Sequence, residues 1–430
     1  MMETFKSIAL VVLVAASLVQ SYLLAFSSPN YDPMSQIEYV ETGWDGPQLA
    51  MGELMAPDQM VIHFGNERHT VLAIGHQFYN MIYYDFVTKR SFDQLRRVNL
   101  SSSDLNWVEI RNQRPGIELR FQEAVPLGLL TNTIQIRDDT VPEDEYISRI
   151  WLFLDPNGED VQAYFFPGTS GMVWHAGSTD ITVRELENRI RLGTHLPSYS
   201  TENGQLYLPD VDLELPAAEI SYSMINQEQI KRSLFPDPGM VRYLFERDGA
   251  QIYTDGKRGL QMEEQRHWFV YSDPVSSPQS ETQPEVIENL QNAVKFVNRH
   301  GGWNGDYLLS QVSPRYSTGQ QTIIFRQYWG QYPILTNEQG VPSFGHIRVS
   351  MERGIVSGFE RSLLNLDLDS AEKTMAVLTG GEALQERVKQ SGFSPVSVVP
   401  AYEAEIHEEA IQLVPRWAMK LSDGSYRFLP

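Results

Sequence analysis

The chain has 430 residues, enough for two to four domains, and its 42% hydrophobic and 11% aromatic content rules out wholesale disorder. Lys and Arg number 34 against 55 Asp and Glu, a net charge of −21, and so acidic a surface repels phosphate backbones and excludes nucleic acid as a main partner. Cysteine is absent, which removes disulfides, thiolate metal sites, thiol nucleophiles and lipid attachment through cysteine.

The first element in chain order is Ile8–Phe26 (IALVVLVAASLVQSYLLAF), which carries no charge. At ~1.5 Å per residue it reaches about 28 Å, close to a hydrocarbon core of ~30 Å. Lys6 precedes it, the next basic residue is Arg68, and Asp32, Glu38, Glu41 and Asp45 lie between. The positive-inside rule then puts the N-terminus in the cytoplasm and the body outside. Residues 1–27 are therefore predicted as a cytoplasmic stub plus a single transmembrane helix in the cell membrane. A cleaved secretory signal ending near Ala25-Phe26-Ser27 is the alternative; it has an overlong apolar run and delivers the same body outside. Ser17, Ser21 and Ala25 recur every fourth residue, Leu10 and Val14 extend the stripe, and Gln20 sits beside it. Small residues admit a partner helix closely and Gln can hydrogen-bond across, which makes these six the candidate transmembrane contact. The plainer reading is that Ser and Gln are merely tolerated near an interface.

Residues 28–59 lack helical periodicity and read as a stalk. Strands are predicted at 61–64, 70–75 and 80–87, then a polar helix around Ser91–Arg97 and a strand at Gly116–Gln122. The runs 147–156 and 161–166 flank Asn157-Gly158, a hairpin signal. Ser178–Leu192 reads as a helix capped by Thr179 or Asp180, with apolar positions 181, 183, 186 and 190. Residues 193–216 collect Gly, Pro, Ser, Asn and Asp and mark a domain boundary. Helices at 226–234, 284–299 and 381–390 each precede three or four strands joined by turns such as Asp255-Gly256 and Asp423-Gly424. This is α+β, with helices packed on antiparallel sheets. The expected extracytoplasmic domains are 60–200, 217–305 and 306–430.

Chemistry is sparse. None of the nine histidines forms HExxH, and the spacings of His63, His69 and His76 match no single helix or strand face, which points to ordinary surface or partly buried side chains. No metal, cofactor or catalytic residue is expected, and the chain is not read as an enzyme. Ser370-Ala371-Glu372-Lys373 matches S-x-x-K, but no K-T-G follows, and Ser370 reads better as a helix N-cap. Glu403/Glu405 and Glu408/Glu409 could serve as paired acids of a wall hydrolase, with solvated charge as the simpler account.

The segments FERDGAQIYTDGKRGLQM (245–262), FGHIRVSMERGIVSGFERSLLNLD (344–367), GGEAL (380–384) and VPRWAMKLSDGSYRFLP (414–430) resemble the YycH (WalH) family of Gram-positive bacteria. None of these motifs is chemical. The resemblance implies a membrane-anchored accessory regulator of the WalK–WalR (YycG–YycF) two-component system, which controls cell-wall metabolism. It implies contact with a WalK-type sensor histidine kinase and a YycI-type sister protein, and last two domains similar to those of YycI. The sign of regulation stays open, as does a homodimer. An extracytoplasmic module binding a lipid or wall fragment is the alternative, recognisable by a large apolar pocket.

Overall fold

The computed structural model describes residues 6, 13, 14, 16, 17, 20, 46–99, 105–137, 142, 145–168, 172–245, 250–263, 267–274, 286–313, 320–336 and 344–430. The chain separates into an N-terminal unit, Met1–Val40, and a body, Glu41–Pro430. The described positions of the N-terminal unit are helical. Among the described residues no helix is long and apolar enough to cross a membrane. Most of the predicted span Ile8–Phe26 lies outside those residues, as does the turn 247–249.

The body is α+β. Its first part runs through helix α1 (Met51–Leu54), strands β1 (Gln59–Gly65) and β2 (Arg68–Ala73), α2 (Gln77–Ile82), β3 (Ser91–Asn99), α3 (Trp107–Gln113), β4 (Pro115–Pro126), α4 (Leu127–Leu130), β5 (Gln135–Arg137), β6 (Tyr146–Leu154), β7 (Val161–Pro167), β8 (Met172–Thr179), α5 (Val183–Arg191), β9 (Tyr199–Ser200) and β10 (Leu208–Pro209). These strands form one ten-stranded sheet, ordered β10-β9-β2-β1-β4-β6-β7-β8-β3-β5. Among the described residues of this sheet, only β3 and β5 pair in parallel.

The second part runs through β11 (Leu213–Met224), α6 (Gln227–Leu234), β12 (Arg242–Phe245), β13 (Gln251–Thr254), β14 (Gly259–Glu263), β15 (Trp268–Ser272), α7 (Val286–Arg299), β16 (Asp306–Val312), β17 (Gln320–Trp329), β18 (Tyr332–Leu335), β19 (His346–Glu352), β20 (Ile355–Ser362), β21 (Leu364–Leu366), β22 (Glu372–Leu378), α8 (Gly381–Gln390), β23 (Ser397–Ile406), β24 (Ala410–Lys420) and β25 (Tyr426–Phe428). They build a second sheet along β12-β13-β14-β15-β20-β19-β17-β18-β23-β24-β11-β21, with β16 on β17, β22 on β11 and β25 on β24. Strands on either side of residue 305 thus share this sheet. Helix α7 shows why the layers hold: Leu290, Ala293, Val294 and Val297 recur at i, i+3, i+4 and i+7 and are all buried. Each of the larger three contributes about 1.5–3 kcal/mol on burial. Phe296, partly buried on the same helix, meets Phe359 of β20 edge to face at 5.3 Å.

Several sequence expectations are corrected. Residues 80–87 are not a strand: α2 and a 3-10 turn at Val87–Lys89 occupy that stretch. Tyr79 and Ile82 on one face of α2, and Tyr83 and Phe86 in the turn that follows, are all buried, so helical and turn spacing outweighs the β-propensity of the aromatics. Residues 91–97 are strand rather than helix, because β3 lies between β8 and β5 and both ladders claim its backbone. Helix α5 begins only at Val183. Thr182, not Thr179 or Asp180, is its cap, in a capping box with Glu185. Residues 46–59, expected in the stalk, pack into the body: Leu54 is fully buried and Asn298 bonds both the N–H and the carbonyl of Leu49. Gly46 passes so close to Gly301 that a Cβ there would lie 2.2 Å from its carbonyl oxygen, and Gly302, at φ +60, completes the approach.

Candidate functional site

Of the six residues in the N-terminal stripe, Val14, Ser17 and Gln20 are helical and exposed. Leu10, Ser21 and Ala25 lie outside the described residues. The apolar neighbours Leu13 and Val14 are 67% and 53% exposed, side chains that a lipid or helix partner would cover.

Among the described residues of the body, two polar assemblies tie distant segments together. The first grows from the β1–β2 hairpin. Asn66 and Glu67, both at positive φ, close a two-residue turn, and a bulge between His63 and Gly65 then sets His63 directly opposite His69. Their Nδ1 atoms are 3.0 Å apart, and His63 Nε2 lies 3.3 Å from Oε2 of Glu118 on β4. All three side chains are buried, so the two histidines are not the surface or partly buried groups expected from their spacing. Burial alone would raise the Glu118 carboxyl, but Arg120, the hydrogen bond from His63 and Arg149 outweigh it and hold the group well below the usual carboxylate range. Burial pushes both imidazoles down, His69 to about 4. With Glu118 ionised, His63 Nε2–H donates to the carboxylate, and His63 Nδ1 accepts the Nδ1–H of His69. Arg120 then reaches past Glu118 to donate to the carbonyls of Gly204 and Gln205, 2.7 and 2.6 Å away. The assembly therefore pins the loop before β10 onto the first sheet. Gly65-Asn66 was a legible turn signal, but the histidine pairing also depends on the bulge between His63 and Gly65, which no local signal announces.

The second assembly joins the two sheets. Gln122 of β4 donates from Nε2 to Tyr426 OH on β25 and accepts at Oε1 from Tyr328 OH on β17, 3.2 Å away. Lys420 of β24 donates to the Gln122 carbonyl. Burial lifts the Asp58 carboxyl to about 6, opposed by Lys420. Near this junction a cavity of about 270 Å³ is lined by Glu53, Ile74, Tyr84, Asp306, Tyr307 and Tyr328, among others. That lining is mixed rather than apolar.

The remaining sequence candidates are dispersed. His76 caps α2. Ser370 does not cap a helix: it ends a 3-10 turn between β21 and β22, where its Oγ accepts from the Ser221 N–H and donates to the Asp367 carbonyl. Lys373, on β22, faces the Trp329 ring at 5.6 Å. Glu403 is buried and ion-paired with Arg416, whereas Glu405, Glu408 and Glu409 are exposed. Among the described residues no group of three or more His, Asp or Glu is arranged to hold a metal.

Two sequence profiles cover nearly the whole chain: YycH protein, N-terminal domain, over residues 3–181, and YycH protein, C-terminal domain, over residues 203–427. The chain belongs to the YycH family. A curated relative, "Two-component system WalR/WalK regulatory protein YycH" of Bacillus subtilis (strain 168), is 20% identical over 449 aligned residues, covering 98% of this chain and 95% of that protein. The crystal structure of YycH from Bacillus subtilis superposes with a TM-score of 0.70 at 16% identity, covering 90% of this chain and 98% of that one. The α+β architecture is thus a YycH fold along almost its full length.

Proposed function

We propose that this chain is a non-enzymatic, membrane-anchored accessory regulator that, with a YycI-type sister protein, binds a WalK-type sensor histidine kinase and modulates its activity in control of cell-wall metabolism. The observation that carries this reading is the match of both YycH profiles together with the end-to-end alignment to a WalR/WalK regulatory protein. Single-pass anchoring through Ile8–Phe26, with the body outside, rests on the apolar run and its flanking charges. Division of the body within 193–216, with later domains of YycI type, draws support from the gap between the two profiles, 182–202. A non-catalytic role is favoured by the state of the candidate acids and serine: Glu403 is committed to Arg416, and Ser370 to backbone groups. A regulator of this kind needs only a few kcal/mol of differential binding to shift a kinase between states, and a shared bilayer raises effective concentration.

Membrane co-purification of the full chain tests the reading. The kinase is expected in the eluate, and Ser17→Leu with Ser21→Leu should reduce its recovery by forcing the helices apart. Val12→Leu with Val19→Leu, off the stripe, should leave recovery unchanged. Absence of the kinase, or release of the chain from membranes by alkaline extraction, would overturn the proposal.

A further inference from the structure

The face of the second sheet opposite α7 carries polar side chains that core packing does not explain. Phe325, Ile347 and Phe359 point into the α7-covered core, so alternation along the strands sends Arg326, His346, Arg348 and Glu360 to the other face. Register sets Arg326 of β17 directly opposite His346 of β19, and Arg348 opposite Glu360 of β20. The rings of His346 and Trp268 (β15) lie 4.9 Å apart. Four side chains of this group end in buried polar atoms without a protein partner: Arg326 Nε, Arg348 Nε, Trp268 Nε1, and both ring nitrogens of His346.

Arg326 is the decisive member. Among the described residues its side chain makes no hydrogen bond and no ion pair; its neighbour is the ring of Tyr426, 6.0 Å from the guanidinium carbon. Arg326 is half-buried with its Nε enclosed, and a guanidinium so placed without a counter-charge is unfavourable, because water can satisfy its donors but not its charge. On this face Glu360 accepts from Arg348 at 3.4 Å, and Glu263 lies opposite Trp268, beyond β15. Arg348 is 41% exposed, which puts one end of the group at solvent and leaves a way in.

We propose that these donors form a site for a small tetrahedral oxyanion of the phosphate or sulfate class, bound between the guanidinium groups of Arg326 and Arg348. Two guanidinium forks match such an anion, and the imidazole of His346 adds a neutral donor. Trp268 Nε1–H is the remaining unpaired donor beside it. The site abuts Tyr426, and Tyr426 and Tyr328 both hold Gln122 of the first sheet. Occupancy therefore stiffens the junction between the sheets. The site does not depend on the regulatory reading above.

The test uses the full chain in detergent, dialysed into chloride buffer free of phosphate and sulfate. Sodium phosphate or sulfate, added at constant ionic strength, should raise the unfolding temperature saturably by about 2 °C or more. Arg326→Met should abolish that rise, and in chloride alone it should melt close to the parent, because it removes a half-buried charge that has no counter-charge. Arg348→Gln, at the solvent edge, should weaken the phosphate response at least tenfold and guards against misfolding of the first variant. Phosphatidylglycerol vesicles are compared with phosphatidylcholine vesicles. An Arg326-dependent response to the former but not to free phosphate would assign the oxyanion to a lipid headgroup. No response to any of these, or equal responses in the parent and Arg326→Met, would overturn the site.

Discussion

Acid should weaken this fold through His69, and a single substitution can isolate the effect. The imidazole is 3% exposed, and burial, then the neighbouring His63, pushes it from 6.5 to about 4. Between those values the unfolded chain takes up a proton that the folded chain refuses. Stability from this residue is therefore full above pH 6.5 and is lost as pH falls toward 4. At 1.36 kcal/mol per unit, the loss by pH 4.5 is about 2–3 kcal/mol. Asp58 acts with the opposite sign: burial lifts its carboxyl to about 6, so folding gains stability as pH falls from 6 toward 3.8. The parent pH profile alone would mix the two. His69→Asn removes the titrating ring while its amide stays able to donate toward His63, and the contribution of Asp58 cancels between parent and variant. Urea unfolding of the full chain, followed by far-UV circular dichroism at pH 7 and 4.5, gives the comparison. The variant should be less stable at pH 7, and that deficit should shrink by about 2–3 kcal/mol at pH 4.5. Parallel profiles across this range would refute the reasoning, because they would mean that His69 titrates alike folded and unfolded.

Two further outcomes follow from the same contacts. Arg120→Ala deprives the buried Glu118 of a partner and releases the carbonyls of Gly204 and Gln205, so it should cost about 3–5 kcal/mol in urea unfolding and open 199–209 to limited proteolysis. Thr182→Ala removes the side-chain half of the α5 capping box and should cost about 1 kcal/mol by the same measurement, with no new proteolytic site in 199–209.

Features whose causes are local could be read from the residues alone. Helices α6, α7 and α8 and most strands after residue 240 were legible from periodicity, caps and Asx-Gly turns, because those signals act within a few residues. The YycH resemblance was legible for another reason: it rests on whole segments such as 344–367, not on any contact. Features that depend on a distant partner became visible in the folded chain. Strand β3 is held by ladders to β5 and β8, more than thirty residues away in sequence, against the helical preference of its Gln, Leu and Arg residues. Strand β22 and Ser370 take their form from alignment along β11, some 150 residues earlier. Glu118, Arg120 and Arg326 looked like any charged residues in strands. The burial of Glu118, and the partners the two arginines have or lack, arise where sheets and loops meet, because alternation along a strand fixes which side chains share a face but not what covers that face.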